Sequence, residues 1–245
     1  MITLPCCGAL RSLGPHLRSR ALSAAAQVAG SSRPYDKGFV HSRTRQWLEE
    51  YVVALNLCPF ASSALTGGGL SIEVVSSDRL SDCQDAVLRA ADKLVKIDHN
   101  DNNDGGDGNA KTTVLAVPNI SELDDLGEYL SMVNHIEGAL SEKGYDGVLQ
   151  VATFHPKYQF AGSDEDAVEN FTNRSPWPLF HLLREQDVGA AVDSFGGETD
   201  SIWQTNEKTM RRIGHERLLE MTAVTRNPDG DGEGKGREGA GAGVV

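Results

Sequence analysis

Three short apolar runs rich in β-branched residues, 70–75, 111–117 and 147–154, alternate with two segments, 78–97 and 121–140, whose apolar residues recur at helical spacing. Nothing else in the chain constrains its fold so strongly. A helix between successive strands can return the chain to the same edge of a sheet, and such crossovers are right-handed. The alternation therefore predicts an α/β domain over residues 42–219: a small, mainly parallel β-α-β-α-β sheet packed with helices, in a single domain. Spacing does not set strand direction, so an open-faced α+β sandwich with an antiparallel member is the alternative.

The other segments read as further helices or appendages. Within 42–57, Trp47, Leu48, Tyr51, Val52 and Leu55 share a helical face opposite Arg43, Arg45, Glu49 and Glu50. Pro59 disfavours helical conformation in the residue before it and ends that helix near Cys58. Residues 176–188 and 199–220 read as two more helices, with Ser121 as the cap of the 121–140 helix. The DHNDNNDGGDGN run at 98–109 has the acids and amides of a calcium loop. No register in it combines Gly at the sixth position with Glu at the twelfth, so a solvated, disordered insertion is expected. The Gly-rich tail at 226–245 has the composition of a disordered segment. Residues 1–35 contain Arg11, Arg18, Arg20 and Arg33 and no acid, which is the composition of an organellar transit peptide. Mitochondrial import is the expectation and plastid import the alternative.

A formal charge of -12 repels nucleic acid and anionic lipid unless a basic patch is locally concentrated, and the domain shows none. No run reaches the roughly 18 to 20 consecutive apolar residues that a membrane helix requires. Neither nucleic acid nor membrane is thus an expected partner. Cys58 and Cys83 lie too far apart, in too large a chain, to read as a disulfide framework, and both are expected as reduced thiols.

Polar residues with chemical capacity concentrate between 155 and 185. His155 ends the third strand, at the edge where α/β sheets place ligands because their loops diverge there. It shares a strand face with Leu149, Val151 and Thr153, and Tyr158 and Gln159 follow. Asn173-Arg174-Ser175-Pro176 suits a helix start, with Ser175 as cap and Pro176 in the first position. Arg174 would then lie beside free helix amides, a pairing suited to a carboxylate or phosphate. Its other reading is an ion pair with Asp164, Glu165, Asp166 or Glu169. On the following helix His181, Arg184 and Glu185 fall at i, i+3 and i+4, on one face. If that face turns toward the loop after His155, two imidazoles, a guanidinium and a carboxylate converge.

His155, His181 and Glu185 are accordingly the candidate catalytic groups. Cys58 joins them as a nucleophile or soft ligand, although a helix C-terminus disfavours its thiolate. Arg174, Asn173, Ser175, Tyr158, Gln159 and Arg184 are the candidate ligand-binding groups. The chain has no HExxH, CxxC or HxH, no phosphate loop, no dinucleotide glycine fingerprint and no GxSxG elbow. No metal site is expected, and the cofactor is left open.

Four segments, LNLCPFA (55–61), GVLQVATFHPKYQFAG (147–162), NFTNRSPWPLFHLLRE (170–185) and MRRIGHE (210–216), together resemble the family of domain of unknown function 1415. The resemblance covers about residues 42–219 and implies a domain without an assigned activity, substrate or cofactor. Its recurrent positions fall on Cys58, Pro59, His155, Tyr158, Gln159, Phe160, Asn173, Arg174, Ser175, Pro176, His181, Arg184, Glu185 and Asn206. The chain departs from the pattern in its leader, insertion and tail, and Trp203-Gln204-Thr205 stands where a Pro-containing approach to the last helix is usual. The candidate residues favour an enzyme of hydrolase or transferase type acting on a small anionic ligand at a His/Arg-lined cleft. A non-catalytic module for a small ligand, metal or protein, and a motif that only builds the fold, are the alternatives.

Overall fold

The computed structural model describes residues 34–96, 110–194 and 200–224. All but the last two residues of the expected leader, the 98–109 insertion and the Gly-rich tail lie outside them. Four strands form one sheet in the order β1-β2-β4-β3, with β1 at Leu70–Val74, β2 at Thr112–Ala116, β3 at Leu149–Phe154 and β4 at Leu179–Arg184. β1 and β2 are parallel, whereas β4 runs antiparallel to both β2 and β3. The three expected strands therefore run in one sense, and β4 inserts against them. The sheet is mixed rather than mainly parallel.

The fourth strand occupies ground where the sequence predicts a helix. WPLFHLLR, 177–184, is apolar almost throughout, and periodicity does not separate a helix from a strand buried on both faces. Packing separates them: Leu179 enters the core on one side of the sheet while Phe180 and Leu182 enter the core on the other, all three fully buried. Helix α5 begins only at Glu185 and runs to Ser194.

Helix α1 spans Lys37–Trp47 and starts earlier than expected, because Asp36 Oδ1 accepts a hydrogen bond from Phe39 N at 3.0 Å. It continues as a π-helical turn, Leu48–Val53. The stop comes from Asn56, at a φ of 52°, with Leu57 N bonded to Val52 O and Asn56 N to Val53 O, both at 2.9 Å. This is a Schellman end, placed three residues ahead of Pro59. A short helix, α2 at Ala61–Thr66, follows.

Helix α3 covers Leu80–Lys96 and α4 covers Leu126–Glu142. Asp125, not Ser121, caps α4, accepting from Gly127 N and Glu128 N at 2.8 and 3.1 Å; Ser121–Asp124 is a separate 3-10 turn. The expected helix at 199–220 is two, α6 at Asp200–Ile213 and α7 at His215–Val224, divided by Gly214 at a φ of 82°.

Helices cover both faces of the sheet. α3 and α4 pack on Leu115, Phe180 and Leu182, while α1, the π turn, α6 and α7 pack with Val114, Ala116 and Leu179. Strand alternation sorts these residues between two cores, each buried apolar side chain contributing about 1.5–3 kcal/mol. Tyr129 on α4 ties its layer to the sheet, donating to Leu179 O at 2.6 Å and accepting from Phe154 N at 3.2 Å.

Candidate functional site

Most of the candidate residues sit in the loop joining β3 to β4, and their polar groups serve that loop's own backbone. His155 is fully buried against Tyr129, with ring centroids 5.2 Å apart. Its Nδ1 accepts from Lys157 N at 3.0 Å, so Nε2 carries the proton and donates to Leu123 O at 2.9 Å. Arg174, only 9% exposed, donates from Nε to Tyr158 O at 3.3 Å and from Nη2 to Glu165 O at 2.8 Å, and lies 4.2 Å from the centre of the Phe171 ring. It meets the Glu165 carbonyl, not the expected carboxylates, and burial lowers the pKa of its guanidinium.

Asn173 Nδ2 donates to Thr153 O at 3.0 Å, and the exposed Gln159 donates to Ser163 O at 2.7 Å. Tyr158 is buried and accepts from Thr153 Oγ1 at 3.3 Å. Ser175 donates to Trp177 O at 2.6 Å. No helix begins at Pro176, so Ser175 caps nothing and Arg174 has no helix amides beside it. Asn170, absent from the sequence reading, gathers the 160–164 stretch of the loop: Oδ1 accepts from Phe160 N at 3.0 Å and Ser163 Oγ at 2.7 Å, and Nδ2 donates to Asp164 O at 2.8 Å. An irregular buried loop has to satisfy its backbone in this way.

The sheet separates His155 from His181. On β4, Leu179 and His181 face α1, whereas His155 faces α4, so the two imidazoles do not converge. The i, i+3, i+4 face is not formed either. Arg184 instead closes the strand with Nε 2.6 Å from Asp187 Oδ2 on α5, and Glu185 becomes the first residue of that helix.

His181 opens onto a cavity of about 420 Å³ between the sheet and the layer of α1 and α2. That is ample for a small molecule. Val114, Leu179, Leu183 and Phe154 form its floor; Trp47, Leu48 and Val52 come from α1 and the π turn, and Leu57, Cys58, Phe60 and Leu65 from the turn and α2. π-helical turns recur at functional sites, and here one supplies the wall. Trp47 is buried edge-on to Phe154 and its Nε1 has no acceptor among the described residues.

Inside this apolar chamber the tautomer of His181 follows from its neighbour. Thr112 Oγ1 donates its single proton to Leu182 O at 2.7 Å and stands 2.6 Å from His181 Nε2. Nε2 must therefore be the donor, and the lone pair belongs to Nδ1. Burial lowers the pKa of His181 to about 4, so the ring is neutral at pH 7. Lys111, Arg184 and Asp187 supply the ionised groups of the cavity wall. Because Thr112 pairs with Leu183, Lys111 and Arg184 lie at the same end of the sheet.

Cys58 is a half-buried thiol outside any disulfide on the same wall, whereas Cys83 is on the buried face of α3 with its pKa raised to about 12 by desolvation. Asn206 Nδ2 holds the turn before Cys58 by donating to Leu57 O at 2.7 Å. Of the candidates, then, the cavity gathers His181, Arg184 and Cys58. It leaves His155, Glu185, Tyr158, Gln159, Asn173, Arg174 and Ser175 off its wall. Thr112, Lys111, Trp47 and Phe154 also line the cavity, and the sequence reading did not single them out as site residues. The alternation Thr112, Val114, Ala116 marks a common strand face, but nothing in it reveals His181 as the neighbour. Among the described residues no three His, Cys, Asp or Glu side chains gather as metal ligands, and no helix is long and apolar enough to cross a membrane.

A family model described as "Protein of unknown function (DUF1415)" matches residues 39–220. No curated protein and no solved structure matches the chain.

Proposed function

Because the chain belongs to the DUF1415 family, whose description carries no activity, we propose its function from the cavity: it binds a small anionic ligand there, with His181 as the polar contact in a largely apolar lining. One observation carries this reading. A neutral imidazole lines a largely apolar cavity with Nε2 engaged by Thr112 and Nδ1 left for a ligand. Arg184 and Lys111 favour negative charge at one end, where Asp187 is the single carboxylate on the wall. A chamber of this size and lining suits reversible capture of a small molecule.

Fluorescence of 1-anilinonaphthalene-8-sulfonate, itself an apolar anion, tests the reading. Saturable one-to-one enhancement is expected from the folded chain and not from Leu183→Trp, in which an indole fills the chamber. Equal enhancement by both folded proteins would place binding elsewhere.

Cys58 on the wall shared with His181 favours a second reading, hydrolase or transferase chemistry through a thiol with imidazole as general base. Iodoacetamide should then modify Cys58 much faster than Cys83, and His181→Gln should slow it at least tenfold. Slow modification, unchanged in the variant, would remove thiol catalysis and leave the binding module.

A further inference from the structure

Resting on that reading, we propose that the ligand is an elongated apolar acid: one acid group at the Lys111 end, a hydroxyl or N–H about 10 Å further in, and an apolar remainder. The spacing comes from strand register. His181 pairs with Val114 and Leu183 with Thr112, so Lys111 and Arg184 occupy the next step outward. Three residues at about 3.3 Å each separate that step from His181.

The charge at the outer step is close to plus one. Arg184 is matched by Asp187 at 2.6 Å, while Lys111 is exposed and has no ion pair among the described residues. In a chain of net charge -12 a local cation beside an apolar chamber selects a monoanion by position. A dianion would leave one charge without a partner.

At the middle step the contact has a direction. The neutral ring accepts at Nδ1, so it pairs with a ligand hydroxyl or N–H and rejects a carbonyl or ether oxygen there. The hydroxyl protons on the wall are already placed: Thr112 donates to Leu182 O at 2.7 Å, Thr172 to Glu169 O at 2.8 Å and Ser63 to Phe60 O at 2.9 Å. Beyond His181 the chamber is bounded chiefly by Trp47, Leu57, Phe154 and Leu179, an apolar lining whose one polar group is the buried Trp47 Nε1–H. An apolar end fits there.

Calorimetric titration of the full chain with dodecanoate, 8-hydroxydodecanoate and dodecanol separates these assignments. Dodecanoate should bind at least tenfold tighter than dodecanol, and the hydroxy acid about fivefold tighter than dodecanoate, the worth of one net hydrogen bond. Lys111→Glu should erase the preference for the acid. His181→Phe should erase the preference for the hydroxyl while still binding dodecanoate. Thr112→Val releases the tautomer and should shrink the same preference, which keeps the test open if the His181 variant fails to fold. Equal binding of acid and alcohol, or a hydroxyl preference untouched by both variants, overturns the ligand class while the cavity reading survives. If no probe binds, both fall.

Discussion

At the residue scale the two histidines of the motif do opposite work. His155 closes two backbone groups, the part-buried Lys157 N and the buried Leu123 O, from one fully buried ring. His155→Leu strands both and should cost about 2–4 kcal/mol in urea unfolding. Because His155 is off the cavity wall, anilinonaphthalene binding should survive wherever the variant is folded; lost binding at full stability would return His155 to the site. Arg174→Met should behave similarly, since it abandons the Tyr158 and Glu165 carbonyls. His181, by contrast, is linked to pH. Its folded pKa of about 4 lies below the ordinary value of 6.5, so between those values the unfolded chain binds the extra proton. Stability should therefore rise from pH 4 to pH 6.5 and level off above, by about 3 kcal/mol at most. His181→Gln should flatten that part of the profile, and an unchanged slope would assign it to other groups.

At the element scale, backbone conformation sets boundaries that side-chain pattern leaves open. Gly214, at a φ of 82°, turns one amphipathic run into α6 and α7. A Cβ there would touch nothing, so Gly214→Ala should cost only the left-handed penalty, about 1–2 kcal/mol by thermal melting. A larger loss would point to packing that the space around Gly214 does not require. Asn56 plays the same part after the π turn, and it, rather than Pro59, decides where Cys58 lies. β4 shows the converse. Its alternating faces were present in the sequence, yet an apolar run buried on both sides carries no period of its own. Once 177–184 is a strand, Ser175 loses its cap role and the face of His181, Arg184 and Glu185 dissolves.

At the scale of the whole molecule, β2 and β4 sit at the centre of the sheet and both helical layers close over them. Their amides should be the slowest to exchange with deuterium, ahead of the edge strands β1 and β3. Helices α6 and α7 bury Ile202, Asn206, Met210 and Leu218 against the α1 side, and Asn206 holds Leu57 O. A chain ending at Ser194 should thus lose cooperative unfolding, as seen by calorimetry; a sharp transition in it would show that the last two helices are dispensable. The sequence alone determined three of the four strands, the helices between them, and the family, because these follow from local periodicity and short motifs; their common sense came from the structure. Of its ten candidate residues, three, His181, Arg184 and Cys58, line the cavity and seven do not. Only the tertiary structure decided that β4 separates β2 from β3, that the sheet divides His155 from His181, and that Thr112 orients the imidazole in the cavity. Those relations join residues up to 70 positions apart, and they depend on which faces are buried together, which no local pattern encodes.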